Sequence, residues 1–572
     1  MERTIRSTVV ATKDTPLAPR GLVVAAHPLG ADVGATILKR GGNAVDAAVA
    51  TAFAMTVVEP FMSSIAGGGT MLVHLAQRGE TVALDFNVQA PAACHETIYP
   101  LADGVATDLF PWRKVVDDAN VFGHRSVAVP GSVAGLSLAL ERYGSMELRD
   151  ILAPAISLAR DGFPSDWYLA LTTATHAQEL AAFPATARTY LRGGHYIHRP
   201  PTIGEGDRVT APDLARSLDL IAREGSAAFY KGAIAQAIHE EMQAHGGFLT
   251  QNDLAAYAVR VQPTLVGQYR GLELAFSPGA TGGVTSLEIL NILSAFPSRE
   301  VGFDAPQGLH LRAEAVRHAF QDRLKYLGDP AQLEAPWAAL ASREYGVQVA
   351  GAILTHGRRS QRQAPDPWQF EGKTGRSERP AWGKGESGDC TTHIGVVDRQ
   401  RNMVSLTHTA VSIFASRVVV PGTGILLSNG MLWFDPESGR PNSVGPGKRA
   451  LVNMVPVLAF RRGEPYLTLG APGGRKIISA IPQVLSNMAD LKLSPQAAIE
   501  APRLHTEGDD LWVDDRVGEK LLAALRKLGH RVTVRQESPS TLYFSRPVAI
   551  RVTKKGLQAG LDHLRAAAAS GF

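Results

Sequence analysis

Cysteine is nearly absent: Cys94 and Cys390 are the only two in 572 residues. A disulfide framework is thereby excluded, and the pair fits a reducing compartment. No apolar run has bilayer-spanning length. The longest, Ala44 to Val58, is interrupted by Asp46 and Thr51 and reads as a buried core helix. The segment from Met1 to Val10 holds no apolar core of signal-peptide length, so a cytoplasmic location is expected. Neither sign of charge dominates: 58 basic residues face 54 acidic ones, a net +4, which implies neither nucleic acid nor an anionic membrane as partner. Metal and cofactor signatures are missing as well. His239 and His245 superficially suggest a zinc helix, but six positions apart they leave a common face. The glycine clusters fit neither a dinucleotide nor a P-loop pattern, and Gly131-Ser132-Val133-Ala134-Gly135 lacks the spacing of a nucleophile elbow. No metal and no cofactor are expected, and these glycines read as serving turns and close packing.

What the chain does have is 45% hydrophobic residues, enough for a large core, in a pattern that mixes strand and helix throughout. Length alone suggests several domains. A strand followed by helix is expected over residues 21 to 60. A hairpin about Arg78-Gly79 should join Met71–Leu75 to Thr81–Phe86, and residues 130 to 262 read as mainly helical. The segment 356 to 390 is different, being rich in Arg, Gln, Pro, Gly, Ser and Lys, and has the composition of a linker.

That linker ends at the most informative point of the chain. A polar, Gly-rich run from Gly383 to Cys390 gives way to the strand pattern Thr391-Thr392-His393-Ile394-Gly395-Val396-Val397-Asp398. A turn over Asp398 to Asn402 then leads into Met403–Thr409. A hydroxyl residue at a flexible-loop-to-strand junction is what an N-terminal nucleophile requires, because cutting between Cys390 and Thr391 frees the α-amine of Thr391. Taken alone, the Thr pair reads better as an ordinary strand start, since Thr favours such positions.

Further motifs decide between these readings. Ala471-Pro472-Gly473-Gly474-Arg475 is a tight turn whose glycines leave backbone N–H groups open to an anion. Gly41-Gly42-Asn43-Ala44, Gly67-Gly68-Gly69, Val129-Pro130-Gly131-Ser132 and Tyr326-Leu327-Gly328-Asp329-Pro330 precede it. With Thr391-Thr392-His393, this series resembles the γ-glutamyltranspeptidase (glutathione hydrolase) family in order and spacing, from about residue 21 to the C-terminus. The resemblance implies an N-terminal-nucleophile hydrolase with a four-layer αββα sandwich, one intertwined unit of two self-processed subunits. Residues 1–390, ending in the linker 356–390, would form the large subunit and 391–572 the small one. It implies Thr391 as nucleophile and, through its α-amine, base. Gly473 and Gly474 would supply the oxyanion donors, and Thr409 would support the nucleophile, although Thr409 also fits as a plain cross-strand β-former. The partners expected are a small-molecule amide and the two subunits of one precursor, with further oligomerisation left open.

The substrate clamp departs from the family. Where γ-glutamyl enzymes hold the α-carboxylate with an Arg and a Ser pair, this chain has Asn87 and Val452-Asn453. Where they hold the α-ammonium with Asn, Gln and Asp, it has Val411, Gly430 and Trp433. Apolar groups replace polar ones, which suits a neutral acyl group better than a zwitterion. Arg417 could supply a new carboxylate anchor or be merely solvated. The stretch from Trp433 to Lys448 is short for the lid found in some relatives. An acylase or amidase acting on a non-γ-glutamyl acyl group is therefore expected. The alternatives are a γ-glutamyl hydrolase or transferase with a rebuilt pocket, a carbon–carbon bond hydrolase of a secondary-metabolite pathway, and an inactive, uncut scaffold.

Overall fold

A computed structural model describes residues 13–15, 17–106, 110, 112–356, 364–373 and 390–572. Two seven-stranded antiparallel sheets form its centre. In the first, the order is Ala568–Gly571, Leu22–Ala25, Thr392–Val397, Met403–Thr409, Gly68–Leu75, Glu80–Phe86, Arg260–Pro263. In the second, it is Leu17–Ala18, Gly556–Leu561, Val548–Thr553, Glu464–Gly470, Val457–Arg461, Leu272–Phe276, Leu265–Tyr269.

In the first sheet strands Leu22–Ala25, Thr392–Val397, Met403–Thr409 and Gly68–Leu75 bury both faces, so period-2 alternation sorts their side chains between two apolar layers rather than between core and water. Leu22 and Val24 join Val397, Met403, Leu458 and Ile550 between the sheets. Val23 and Ala25 point the other way, into a core with helices Pro28–Lys39, Ala44–Val58 and Leu148–Asp161. Helices Gly283–Ser294, Pro306–Tyr326 and Lys476–Ala489 cover the outer face of the second sheet. The layers run α, β, β, α.

Helix Ala44–Val58 is buried at all of its positions, as its composition predicts, and it begins at a capping box in which Asn43 and Asp46 satisfy each other's backbone. The hairpin about Gly79 forms, with Gly79 in the left-handed region. The glycine motifs serve close approach. A Cβ on Gly67 would lie 2.2 Å from the carbonyl oxygen of Thr409, and one on Gly131 would lie 2.1 Å from that of Phe86.

The linker is only partly loose in composition and partly docked. Most of it, 357–363 and 374–389, lies outside the described residues. Its middle is a short 3-10 turn, Pro367–Glu371, where Glu371 accepts bonds from the backbone of Ala338 and Ala339 at 3.0 Å each. Buried Pro367 and half-buried Trp368 anchor this piece, which a composition average over the whole segment conceals.

Candidate active site

Strand Thr392–Val397 and strand Met403–Thr409 pair in register from Thr392 opposite His408 to Val397 opposite Met403. This hairpin places Thr391 beside Thr409 at the end of the first sheet. The Thr391 hydroxyl donates to the carbonyl oxygen of Cys390, its own neighbour across the bond expected to break, and its Oγ1 lies 3.5 Å from Thr409 Oγ1. Thr409 Oγ1 donates to the same carbonyl at 2.9 Å and accepts the Val411 N–H at 2.9 Å. The Cys390 carbonyl is therefore polarised by one hydroxyl and faced by another, the arrangement for intramolecular attack by Thr391 Oγ1 on the carbonyl carbon.

Cys390 does not sit on an exposed loop, as its polar surroundings in sequence suggest. It is 2% exposed, and its thiol donates to the carbonyls of Phe61 and Met62 at 2.8 and 3.0 Å. Burial pushes that thiol well above its ordinary pKa. The Phe61 turn thus holds Cys390 itself beside the bond expected to break. His393 takes no part as a base. It is fully buried, its Nδ1 meets Thr407 Oγ1 at 2.9 Å, and burial pulls it down to about 3.

A recess opens beside Thr391, lined by Cys390, Val411, Trp433, Asn453, Met454 and Gly474 among others. Among the described residues lining it, no side chain is charged. Gly473 and Gly474 have φ of +134° and +53° and lead into helix Lys476–Ala489, whose N-terminal dipole favours negative charge nearby. A Cβ on Gly473 would stand 2.8 Å from the Cα of Ser545, so a larger residue there would disturb the turn as well as its donors.

The other expected clamp positions fall behind this wall. Asn87 is spent on the scaffold: Nδ2 donates to the Ala450 carbonyl at 3.0 Å and Oδ1 accepts the Val88 N–H at 2.8 Å. Gly430 packs so closely that a Cβ would meet Ala128 and Val88 at 2.6 Å. Val452 is buried in the apolar cluster under Trp433, with its N–H on the Ala280 carbonyl. Arg417 is neither solvated nor available as an anchor. It is 5% exposed and bonded to Glu179 Oε2 at 2.6 Å and Ser412 Oγ at 3.2 Å, and its guanidinium lies over the Phe122 ring. Glu179 lies on helix Ala177–Ala181, 238 positions from Arg417, so no local pattern signals this pairing.

Arg323 was not singled out in sequence and proves central to the wall. Buried within helix Pro306–Tyr326, it donates to the carbonyls of Thr281 and Val452 at 2.9 and 2.7 Å and to Asn453 Oδ1 at 3.2 Å. Burial pulls it down to about 9. A guanidinium only donates, so Asn453 must turn its oxygen to Arg323 and leave its NH2 group as the end available to the recess. The one available signal was position: Arg323 lies just before the motif Tyr326 to Pro330. In that motif, Asp329 accepts the Arg449 N–H at 2.8 Å and pairs with Arg260 at 2.9 Å, fixing the approach to residues 451–453.

Among the described residues, two groups gather ligand-type side chains: His124, Glu241 and His245, and His310, Glu314 and His530. His239 is absent from the first. Glu241 and His245 share a helix face and meet His124, whose Nε2 is 2.8 Å from Glu241 Oε1. In the second, His310 Nδ1 and His530 Nε2 lie 2.8 Å apart. In the second group Glu314 also pairs with Arg317.

The sandwich and the hydroxyl-bearing strand end define an enzyme of the N-terminal-nucleophile hydrolase class. The γ-glutamyltranspeptidase family profile matches residues 30–572, and the chain belongs to that family. It is 37% identical over 514 residues to the acylase ACY 1 proenzyme of Pseudomonas sp. (strain SE83), covering 90% of this chain and 87% of that one. It is 34% identical over 537 residues to the glutathione hydrolase proenzyme of Escherichia coli (strain K12), covering 92% and 88%. Among solved structures, a cephalosporin acylase from Bacillus halodurans superimposes with a TM-score of 0.82 at 26% identity, over 100% of this chain and 99% of that one.

Proposed function

We propose that this protein is a self-processing amidohydrolase that works through a threonyl acyl-enzyme on an acyl group other than γ-glutamyl. In the precursor, Thr391 Oγ1 attacks the Cys390 carbonyl carbon and the peptide nitrogen leaves, converting the amide to an ester. Water hydrolyses the ester, leaving a Cys390 carboxylate and a free Thr391 α-amine. An unperturbed α-amine has a pKa of about 7.7 to 8.0, so near neutral pH a share of it is unprotonated and can take the Oγ1 proton. Substrate then acylates Thr391, the amine's proton goes to the leaving nitrogen, and water releases the acid. The backbone N–H groups of Gly473 and Gly474 are the donors for the oxyanion, a role typically worth roughly 3 to 4 kcal/mol per donor.

The observation that carries the self-processing step is the Thr391 hydroxyl bonded onto the Cys390 carbonyl with Thr409 sharing that oxygen. The substrate reading rests on the uncharged recess of Val411, Trp433, Asn453 and Met454. A γ-glutamyl group would bring an ammonium for which the lining offers no anion, and uncompensated buried charge costs several kcal/mol. An acyl chain with one terminal oxygen acceptor suits the Asn453 NH2 group.

Parallel kinetics on γ-glutamyl-p-nitroanilide and glutaryl-p-nitroanilide test the substrate, with N-terminal sequencing of the smaller chain to test the cut. A small chain starting at Thr391 and higher kcat/KM on the glutaryl compound are expected. Faster turnover of the γ-glutamyl compound would transfer the protein to the glutathione hydrolase side of the family, and active but uncut protein would remove the mechanism.

A further inference from the structure

His245 shares no helix face with His239, but it completes a group of donors with a residue from a distant turn. Helix Ala233–Ala244 carries Glu241 in its last turn, and His245 follows at the C-terminal cap, four positions on and on the same face. The 3-10 turn His124–Ser126 brings His124 against both, 117 positions before Glu241. His124 Nε2 lies 2.8 Å from Glu241 Oε1, and His245 Nδ1 lies 3.4 Å from the same oxygen. The two imidazole rings stack at 4.4 Å between centroids and 11° between planes. One nitrogen from each ring and one carboxylate oxygen thus lie within 4.8 Å of one another.

Among the described residues, no lysine or arginine pairs with this carboxylate, whose only ionisable partners are the two imidazoles. Burial holds His124 below its ordinary pKa, so near neutral pH it meets Glu241 as a neutral imidazole rather than as the cation of an ion pair. A carboxylate flanked by imidazoles, with no fixed cation, is a donor set suited to a metal ion.

We propose that His124, Glu241 and His245 form a binding site for a divalent transition-metal ion of the zinc type. Two imidazoles and a carboxylate select Zn2+ over Mg2+ and Ca2+, which take oxygen ligands. Zn–N and Zn–O bonds of about 2.0 to 2.2 Å set tetrahedral ligands roughly 3.4 Å apart. The His245–Glu241 separation already has that value. The His124–Glu241 contact opens by about half an ångström as the ion takes the place of the proton between them. That proton moves to His124 Nδ1, so the imidazole stays neutral and none is lost. His245 is half exposed and lies beyond the last helical turn. Its ring turns out of the stack and off the Glu241 backbone carbonyl, 3.0 Å from Nδ1, to aim its lone pair at the ion. Water fills the fourth position. The turn bearing His124 is itself fastened to the segment after Val411: the Gly123 N–H donates to the Ser416 carbonyl at 2.9 Å, and the Arg417 guanidinium lies 4.6 Å from the centre of the Phe122 ring. The ion thus staples helix Ala233–Ala244 to the support of that segment.

Calorimetric titration of ZnCl2 into untagged protein, treated with EDTA and dialysed at neutral pH, tests the site without reference to activity. One ion per chain with a dissociation constant of about 10 µM or below is expected, and MgCl2 should give no heat of binding. His124→Ala and His245→Ala should each weaken zinc binding by about thirtyfold or more, since each removes one of three protein ligands. His239→Ala, on the same helix but outside the group, should keep wild-type affinity. Absence of a zinc site of that strength in wild type, wild-type affinity in the variants at 124 and 245, or an equal loss in His239→Ala overturns the proposal. Should His124→Ala not fold, the half-exposed His245→Ala and the visible spectrum of Co2+ bound to wild type decide. Intense bands of a four-coordinate ion support the site, and the weak spectrum of a six-coordinate, hydrated ion overturns it.

Discussion

Asn453→Asp changes one atom group in the acyl recess and exploits the buried cation behind it. In the native protein, Arg323 Nη2 holds Asn453 Oδ1 at 3.2 Å and the NH2 group is left for substrate. In the variant, Arg323 would pair with a carboxylate, while the other carboxylate oxygen replaces the donor. An acyl group ending in a carboxylate then loses a charge-assisted hydrogen bond, worth about 1.5 to 3 kcal/mol. It also meets a like charge at roughly 5 Å, which at an effective dielectric near 20 costs about 3 kcal/mol. Arg323 offsets part of the second term, so a total near 2 to 4 kcal/mol is expected, a factor of about 30 to 1,000 in kcat/KM for glutaryl-p-nitroanilide. Butyryl-p-nitroanilide, which has no distal carboxylate, should change by less than about threefold. Thermal unfolding should show the variant at least as stable as the parent, because the new ion pair replaces a neutral contact with a cation already buried. Equal losses on both substrates would refute the assignment of Asn453 as the distal contact.

Thr391→Ala should remain a single uncut chain on a denaturing gel and show no turnover; a cut variant would move the scissile bond elsewhere. Arg417→Ala should leave the glutaryl to γ-glutamyl preference unchanged while lowering stability by about 1 to 3 kcal/mol in urea unfolding, because it strips Glu179 and Ser412 of a buried donor; a changed preference would return Arg417 to the pocket. His408 is fully buried, with burial pulling it down to about 4, and its Nε2 is 2.6 Å from Ser132 Oγ. Its folded pKa is depressed below the unfolded value near 6.5, so the unfolded chain gains the proton first and stability is lost as pH falls through that window. Relative to His408→Gln, wild-type protein should lose about 2 kcal/mol between pH 7 and pH 5, measured by urea unfolding at both; a parallel pH dependence would show that His408 takes up its proton as readily in the folded as in the unfolded chain.

Local chemistry determined much of this protein. The Asn43 and Asp46 cap, the Gly79 hairpin, the buried helix Ala44–Val58 and the register that sets Thr391 beside Thr409 all depend on neighbours close in sequence, where periodicity and turn residues leave a readable trace. The glycine and Thr motifs, met in order, carried the family. Tertiary structure alone decided which side chains remain available for chemistry. Arg417 is consumed by Glu179 and Asn87 by the Ala450 carbonyl, while Cys390 is buried by the Phe61 turn rather than left on a loop. Arg323 reaches Asn453 across 130 positions, and His124 reaches Glu241 across 117. A hydrogen bond satisfied over such a separation leaves no pattern in composition or spacing, and burial, which sets whether a carboxyl or guanidinium is charged and free, belongs to the packed whole.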